Sequence, residues 1–309
     1  MCKVTIDGIT VQAPEGSTIL DAAKLAGVDI PTLCFMKEIN EIGSCRVCVV
    51  EVEGEDALAA ACNTPVFDGM AVRTNTPRVI AARRANVETI LATHRSECTT
   101  CKRSGTCALQ AVANGCNAAD LGRDPDYEFE AWDETFPLQR DATKCIRCMR
   151  CVAECAKVQQ CAVWEVSGPA AHRGVRVAGG ADIASANCAL CGQCVTHCPT
   201  GALTACDDTS KVLAALADPQ VITVVQVAPA IRSAWGEGVG VPREEATQGR
   251  MVSALRALGF NYVYDTDFAA DLTIMEEANE FIEWVKAEKP RPMFTSCCPG
   301  WVRFATQHY

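Results

Sequence analysis

The chain has 309 residues, a formal net charge of −10 and 49% hydrophobic residues, enough for more than one domain with its own core. It contains no run of about 20 apolar residues, which excludes a helical membrane span, and its acidity makes nucleic acid a poor partner. The N-terminus shows neither a signal peptide nor a twin-arginine signal, so we expect a cytoplasmic protein.

Cysteine is unusually frequent, with 21 residues in the chain. Disulfides are rare in a reducing cytosol. Most of the cysteines also stand in short runs with spacings that are typical of metal ligands. We therefore predict that they hold metal.

The first predicted elements are two short strands joined by Asp7 and Gly8, the residue pair that a type I′ hairpin turn prefers. A helix follows, with Thr18 as its N-cap, Asp21 in its first turn and Gly27 at its end. This β-β-α order indicates a small β-grasp domain.

Four cysteines in this first domain have the spacing C-x10-C-x2-C-x13-C: Cys34, Cys45, Cys48 and Cys62. Four thiolates at this spacing suit a 2Fe-2S cluster or zinc, and the β-grasp start favours the cluster. Gly43 lies where the backbone has to wrap around the cluster core. We predict a 2Fe-2S domain over residues 1–76.

The next predicted helix is capped by Thr76, begins at Pro77 and ends near His94. Its apolar stripe consists of Val79, Ile80, Val87, Ile90 and Leu91. The spacing H-x3-C-x2-C-x5-C follows, formed by His94, Cys98, Cys101 and Cys107. We predict that these four residues bind a 4Fe-4S cluster in a small helical domain over residues 77–139, which includes an acidic connector at 117–139. Cys116 is the competing fourth ligand, and zinc is the alternative metal.

Two cysteine runs then match the bacterial ferredoxin pattern, in which the fourth cysteine of each run ligates the other cluster. One 4Fe-4S cluster is predicted to use Cys145, Cys148, Cys151 and Cys198, and the other Cys188, Cys191, Cys194 and Cys155. We predict a ferredoxin-like domain with two 4Fe-4S clusters over residues 140–206. Three cysteines fit no run and are expected to be free thiols: Cys2, Cys161 and Cys206.

From residue 207 the pattern changes to α/β. We predict a buried strand at 221–227, helices at about 245–258 and 271–288, and a strand at 293–296. Gly236-x-Gly238-x-Gly240 lacks the order of a dinucleotide-binding loop, so no nucleotide or flavin site is expected.

Cys297 and Cys298 follow the last predicted strand, and Pro299 is well placed to open a helix. The positive end of a helix dipole lowers the pKa of a nearby thiol and favours metal ligation. Adjacent side chains point in different directions, so one cysteine could bind metal while the other handles protons.

The motif Thr-Ser-Cys-Cys-Pro-Gly-Trp at 295–301 resembles the first active-site signature of iron-only (FeFe) hydrogenases, as do the segments 227–230 and 272–277. The order of the upstream cysteine runs also resembles the multi-cluster members of that family. The resemblance implies that Cys298 ligates the cubane of an H-cluster, a 4Fe-4S cluster joined to a binuclear iron site. It also implies that Cys297 is an acid-base thiol and that Glu277 and Glu280 belong to a proton path.

This resemblance makes residues 207–309 the start of an α/β H-cluster domain, so the expected fold class is α+β multidomain. The family takes three further cluster ligands from two later motifs, and the 309 residues contain neither. We interpret the chain as the N-terminal portion of a longer protein, with an electron-transfer remnant as the other possibility.

The implied reaction is the reversible combination of two protons and two electrons to hydrogen. The expected partners are a ferredoxin or a flavin-containing NAD(P)H-oxidising subunit, together with the maturation proteins that install the binuclear site. The first 200 residues also resemble the cluster-bearing subunit of NADH dehydrogenase and of some formate dehydrogenases, which gives a second hypothesis, a non-catalytic relay subunit. Zinc in every site is a third.

Overall fold

The computed structural model describes residues 1–120, 122, 131–168 and 174–309, apart from the side chains of Gln307 and His308. Part of the predicted acidic connector at 117–139 therefore lies outside the described residues. The chain divides into two compact units, Met1–Cys206 with Cys298–Tyr309, and Asp207–Cys297. Each unit is described by itself.

The first unit opens with the predicted hairpin. Strands β1 (Cys2–Ile6) and β2 (Ile9–Ala13) pair antiparallel with Ile6 opposite Ile9. The turn residues Asp7 and Gly8 have φ angles of 48° and 87°, the left-handed values that a type I′ turn requires at both positions. Alternate residues of β1 are buried, as the period of a strand demands.

Helix α1 (Ile19–Leu25) also begins and ends as its sequence predicts. The Thr18 side chain accepts a hydrogen bond from the backbone N–H of Asp21, whose carboxylate accepts one from the Thr18 backbone N–H. This capping box satisfies two donors that the first turn of a helix otherwise leaves unpaired. Gly27 has φ 72° just beyond the last turn.

Three further strands complete a five-stranded sheet: β3 (Val49–Val52), β4 (Ala59–Ala60) and β5 (Ala71–Arg73). The strand order is β2-β1-β5-β3-β4, with β1 and β5 parallel and the other neighbours antiparallel. The aliphatic side chains of the sheet and α1 form a buried core that includes Val4, Ile6, Ile19 and Val50. Full burial of each contributes about 1.5–3 kcal/mol.

Helix α2 (Pro77–Leu91) is capped by Thr76, and helix α3 (Ala108–Gly115) follows it. Both pack on Leu33 and Val47, which flank cysteines of the first set. The predicted apolar stripe was wrong at Ile80, whose side chain is exposed. Arg83 lies in the buried face of α2 instead and donates a hydrogen bond to the carbonyl of Val49 at 3.0 Å.

The region around the two ferredoxin-type runs is built from short elements. The strands are β6 (Leu138–Arg140), β7 (Trp164–Ser167), β8 (Gly174–Val177) and β9 (Leu203–Ala205), paired as β6 with β9 and β7 with β8. Helix α4 (Arg150–Ala153) continues into a π-helical turn (Glu154–Val158), and α5 (Gln193–Thr196) is its counterpart in the second run. Helix α10 (Pro299–His308) belongs to the same unit, where Arg303 donates to the carbonyl of Ala186 at 3.0 Å.

The second unit contains α6 (Thr209–Ala217), β10 (Val224–Val227), α7 (Pro229–Gly238), α8 (Gln248–Ala257), β11 (Tyr262–Asp265) and α9 (Thr266–Lys286). Strands β10 and β11 form a parallel pair.

Three expectations for this unit were wrong. The predicted buried strand at 221–227 is shorter, and Val224 is 57% exposed because the described residues place only one other strand beside it. The helix expected at 271–288 begins at Thr266, since Asp265 caps it with its side chain. Residues 293–296 form no strand, because their backbone pairs with no neighbouring strand in the described chain. In the same described residues, no helix has both the length and the hydrophobicity that crossing a bilayer requires.

Candidate iron-sulfur sites

The four cysteines of the first set lie together in two pairs. The side chains of Cys34 and Cys45 are hydrogen-bonded to each other, and so are those of Cys48 and Cys62. The shared hydrogen bond lowers the pKa of Cys34 and of Cys48 and raises that of each partner, so one sulfur of each pair is favoured as a thiolate. Two thiolate pairs suit the two irons of a 2Fe-2S cluster, each of which takes two cysteine ligands.

The loop between these cysteines depends on Gly43. Its φ is 62°, and a Cβ at this position would lie 2.7 Å from Nδ2 of Asn63. A larger residue would therefore clash as well as adopt a strained backbone. The backbone of this loop can thus approach the cysteine pairs closely, as the residues around a cluster must.

His94 has the environment of a metal-ligating imidazole. Burial lowers the pKa of its ring, which a hydrogen bond to the Lys144 backbone opposes, so the ring is neutral near pH 7. Its buried Nδ1 has no hydrogen-bond partner among the described residues. A neutral ring with one nitrogen on a backbone carbonyl and the other unpaired is the form in which histidine binds metal.

The three cysteines that follow His94 lie near one another. Cys98 interacts electrostatically with Cys107 and Cys101. Cys107 Sγ donates to the carbonyl of Pro199 at 3.6 Å, which brings this set beside the residue after Cys198. The sulfur of Cys116 interacts instead with Arg83 and Arg84 of α2.

The two ferredoxin-type runs surround two cavities, and each cavity is lined by the crossed set of cysteines. Cys145, Cys148, Cys151 and Cys198 line the first, and Cys155, Cys188, Cys191 and Cys194 line the second. Burial raises the pKa of Cys148 and of Cys194 to about 12, so both are thiols in the metal-free protein and must lose their protons when a metal binds. The donor set and its enclosure fit a 4Fe-4S cluster in each cavity.

Equivalent positions of the two runs share an unusual backbone. Arg147 and Leu190, which precede the second cysteine of each run, both have φ 55°, and Met149 and Gly192, which follow it, have φ 63° and 71°. Left-handed residues on both sides of a cysteine turn successive N–H groups toward one point, where the backbone forms an anion-binding concavity. An anionic cluster is a suitable occupant.

No three His, Cys, Asp or Glu side chains in the described parts of the chain converge closely enough to surround a single metal ion. A zinc site needs its ligand atoms about 2.0–2.3 Å from one point.

Two residues that the sequence did not single out lie at these sites. Asn40 is 2% exposed, and its Nδ2 donates to the carbonyl of Cys34 at 2.7 Å and to that of Cys148 at 2.9 Å, so it connects the first cysteine set with the first cavity. Cys161, expected to be an ordinary free thiol, lines the second cavity. Its position six residues after Cys155 is the only signal in the sequence, and spacing alone gives it no meaning.

The C-terminal motif has the predicted helix start. Cys298 is the N-cap of α10, and its Sγ accepts a hydrogen bond from the backbone N–H of Trp301 at 3.5 Å. Within the second unit, Thr295 donates to Oε1 of Glu277 at 2.8 Å, while Cys297 and Glu280 are exposed.

Comparison with known families agrees with this order of sites. Residues 1–77 match a 2Fe-2S iron-sulfur cluster binding domain, residues 83–120 the iron-sulfur binding region of NADH-ubiquinone oxidoreductase G, and residues 144–202 a 4Fe-4S dicluster domain. Residues 221–309 match the C-terminal domain of the iron-only hydrogenase large subunit. The predicted α+β multidomain class and its 2Fe-2S and 4Fe-4S regions are confirmed at this level.

Individual relatives cover the whole chain. The subunit HndD of an NADP-reducing hydrogenase from Solidesulfovibrio fructosivorans is 46% identical, over 98% of this chain and 54% of that protein. Iron hydrogenase 1 of Clostridium pasteurianum is 36% identical, over 100% of this chain and 54% of that protein. A solved chain of an NAD+-reducing NiFe-hydrogenase is 29% identical with a TM-score of 0.59, over 66% of this chain and 87% of that one.

The chain thus spans about half the length of these two curated relatives. Its family regions follow one another in a single order, and the last of them matches the C-terminal domain of the iron-only hydrogenase large subunit. The chain belongs to the iron-only hydrogenase large-subunit family, of which it carries the N-terminal cluster region and the start of the C-terminal domain.

Proposed function

We propose that the chain is the cluster-bearing portion of an FeFe hydrogenase that catalyses the reversible combination of two protons and two electrons to hydrogen. The observation that carries this proposal is the Cys297-Cys298 motif, with Cys298 as N-cap of α10, inside the segment that matches the hydrogenase C-terminal domain. A protein that only relays electrons has no use for this motif.

We assign the upstream cysteines to four clusters, in the β-grasp domain, the small helical domain that contains His94 and the ferredoxin-like domain, with the boundaries given above. The 2Fe-2S cluster takes the two hydrogen-bonded pairs, the His94 set takes one 4Fe-4S cluster, and each cavity takes one more. Electrons enter at the 2Fe-2S and His94 clusters and pass through the ferredoxin-like pair. The hydrogen bonds from Asn40 to the carbonyls of Cys34 and Cys148 support a short connection from the 2Fe-2S site to the first cavity. The hydrogen bond from Cys107 to the carbonyl of Pro199 supports one from the His94 site.

At the H-cluster, Cys298 would ligate the cubane from the N-cap position of α10. The bound group would supply the iron at which protons and electrons combine. Cys297 would hold and release a proton there, and Glu277 and Glu280 would carry protons along α9. The Thr295–Glu277 hydrogen bond supports this path, because it connects Glu277 with the segment that leads into Cys297.

The partners follow from the relatives. Two of these similar proteins come from an NADP-reducing and an NAD+-reducing hydrogenase. We therefore propose a flavin-containing NAD(P)H-oxidising subunit or a ferredoxin as the electron partner, and maturation proteins as the source of the binuclear iron. A cytoplasmic location remains a prediction.

The test uses the native protein purified anaerobically from its source cells. We expect hydrogen-dependent reduction of methyl viologen, and we expect Cys297→Ala to lower it by at least about a hundredfold, the contribution of a positioned acid-base group. The spectra of the four upstream clusters should not change in this variant. Wild-type activity in Cys297→Ala would contradict the assignment.

The His94 assignment is tested in the same protein. Histidine is a neutral ligand in place of a thiolate, so His94→Cys should lower the reduction potential of one 4Fe-4S cluster and leave the others unchanged. Cys116→Ala is the matched control and should change no cluster. If instead Cys116→Ala removes one cluster and His94→Cys has no effect, Cys116 is the ligand.

A non-catalytic relay subunit is the second candidate. The specific observation in its favour is that two thirds of the chain match most of a chain from a hydrogenase of the NiFe type. This hypothesis predicts all four upstream clusters and no hydrogen activity. Hydrogen activity of the native protein supports the hydrogenase.

A further inference from the structure

The second cavity has five cysteines in its wall, although a 4Fe-4S cluster needs four. Its lining includes Cys155, Cys188, Cys191 and Cys194, and also Cys161. Cys161 lies close enough to Cys155 and Cys188 to interact electrostatically with both. The fifth thiol therefore shares the cavity wall with all four proposed ligands.

The backbone holds Cys161 at the cavity. The N–H groups of Cys161 and Ala162 both donate to the carbonyl of Cys155, at 3.0 and 3.2 Å. These two hydrogen bonds keep the loop after Cys155 folded back against that residue. Gln160 and Ala162, on either side of Cys161, have φ angles of 54° and 48°. Left-handed conformations cost non-glycine residues of order 1 kcal/mol each, and such strain persists where the surrounding structure imposes it.

The Cys161 thiol is only weakly held in place. Its Sγ donates to the carbonyl of Gln159 at 3.3 Å. Thiols are weak hydrogen-bond donors, so this bond is easily exchanged for a metal bond. The Cys155 sulfur accepts backbone hydrogen bonds from Val163, at 3.3 Å, and from Trp164, so the thiolate that leaves would give up both. Both sulfurs belong to residues that line the same cavity of ≈ 250 Å³.

We propose that Cys161 is a reserve ligand of this 4Fe-4S cluster and takes the place of Cys155 when that thiolate leaves. The inference rests on the proposed function only in that it requires a cluster in the second cavity. In the exchange, the Cys161 sulfur binds the iron that Cys155 releases, and the proton of the Cys161 thiol passes to the Cys155 thiolate. No electron is transferred, so neither an oxidant nor a reductant is needed.

The first cavity provides an internal control. Among the described residues that line it, Cys145, Cys148, Cys151 and Cys198 are the only cysteines. Loss of a ligand there cannot be repaired from the cavity wall. The two cubanes of one chain should therefore differ in their tolerance of ligand removal.

The experiment compares four variants of the full chain after anaerobic reconstitution: Cys155→Ala, Cys161→Ala, the double variant and Cys148→Ala. Iron per chain and low-temperature EPR of the reduced protein are the measurements, and the 2Fe-2S signal reports whether each variant folds. Cys155→Ser is prepared beside Cys155→Ala, because it preserves the side-chain volume if the smaller residue prevents folding.

We expect Cys155→Ala and Cys161→Ala each to retain wild-type iron, and the double variant and Cys148→Ala each to lose the iron of one 4Fe-4S cluster. In native Cys155→Ala, iodoacetamide should no longer label Cys161, which it labels in wild type. The proposal is overturned if Cys155→Ala and Cys155→Ser lose as much iron as the double variant, or if Cys161→Ala alone loses a cluster. A wild-type chain that binds no 4Fe-4S clusters would instead contradict the proposed function, so the two failures are distinguishable.

Discussion

Two regions of the first unit bury their interiors in different ways. The sheet region, residues 1–76, has a mainly aliphatic core in which Val4, Ile6 and Ile19 are fully buried, and its buried cysteines, Cys2, Cys48 and Cys62, are a minority. In the region from 138 to 206, the core includes the sulfurs of Cys151, Cys155 and Cys198, and two cavities lie between its short strands.

The difference indicates which region can fold before its metal is inserted. A closed aliphatic core supplies its own burial energy. A core that is interrupted by cavities lacks packing partners on their walls and stays weak until a ligand fills them. We therefore expect the sheet region to hold its fold without iron and the 138–206 region to need its clusters.

Removal of iron should have the largest effect. A ligand that binds only the folded state, at a free concentration of a hundred times its Kd, stabilises the folded state by about 2.7 kcal/mol. Chelation under anaerobic conditions should therefore abolish most of the amide protection of β7 and β8, whereas the amides of Val4 and Ile6 should stay protected. Hydrogen exchange with mass spectrometry measures both regions in one sample. If β7 and β8 stay protected in the apo chain, their core does not depend on the clusters.

Within the sheet region, truncation of a core side chain should have the next largest effect. Ile6→Ala removes a fully buried side chain and should cost about 2–5 kcal/mol. Ile9→Ala is the matched control, because Ile9 lies opposite Ile6 in the hairpin and is 49% exposed. Denaturant unfolding followed by the 2Fe-2S absorbance should show the difference. Equal costs for the two variants would mean that the aliphatic core does not dominate this region.

The connection between the two regions can be tested at Asn40. Asn40→Ala leaves the carbonyls of Cys34 and Cys148 without their donor, at a cost of about 1–3 kcal/mol. Asn86→Ala removes a single, exposed hydrogen bond to Arg46 and should cost no more than about 0.5 kcal/mol. Unfolding monitored at the visible absorbance of all clusters measures both. An Asn40→Ala chain as stable as the Asn86→Ala chain would show that the bridge carries no stability.

The smallest expected effect is the loss of a helix cap. Thr18→Ala removes the capping box of α1 and should cost about 1 kcal/mol, whereas Thr18→Ser should restore most of it. The same denaturant experiment detects this change. A larger loss in Thr18→Ser than in Thr18→Ala would contradict the capping role.

The local signals in the sequence predicted local structure well. Asp7-Gly8, Thr18 with Asp21, and Thr76 with Pro77 each determine a turn or a helix start through hydrogen bonds or dihedral preferences within a few residues. The spacings of the cysteine runs predicted sets that the structure brings together, because short loops constrain where neighbouring thiolates lie. The site assignments themselves remain predictions until the variants above are measured.

Other features depend on contacts between distant parts of the chain. Asn40 reaches Cys148 across 108 residues. Arg83, and not Ile80, lies in the buried face of α2, where it donates a hydrogen bond to the Val49 carbonyl. The position of Cys161 in a cavity wall likewise follows from the loop after Cys155, which folds back onto the carbonyl of that residue.

Sequence by itself determined the class of this protein, its hairpin, its caps and its ligand spacings, since these depend on neighbours along the chain. Only the tertiary structure decided which polar groups connect the sites and that Cys161 lines the second cavity, because burial and long-range hydrogen bonds exist only once the chain has folded.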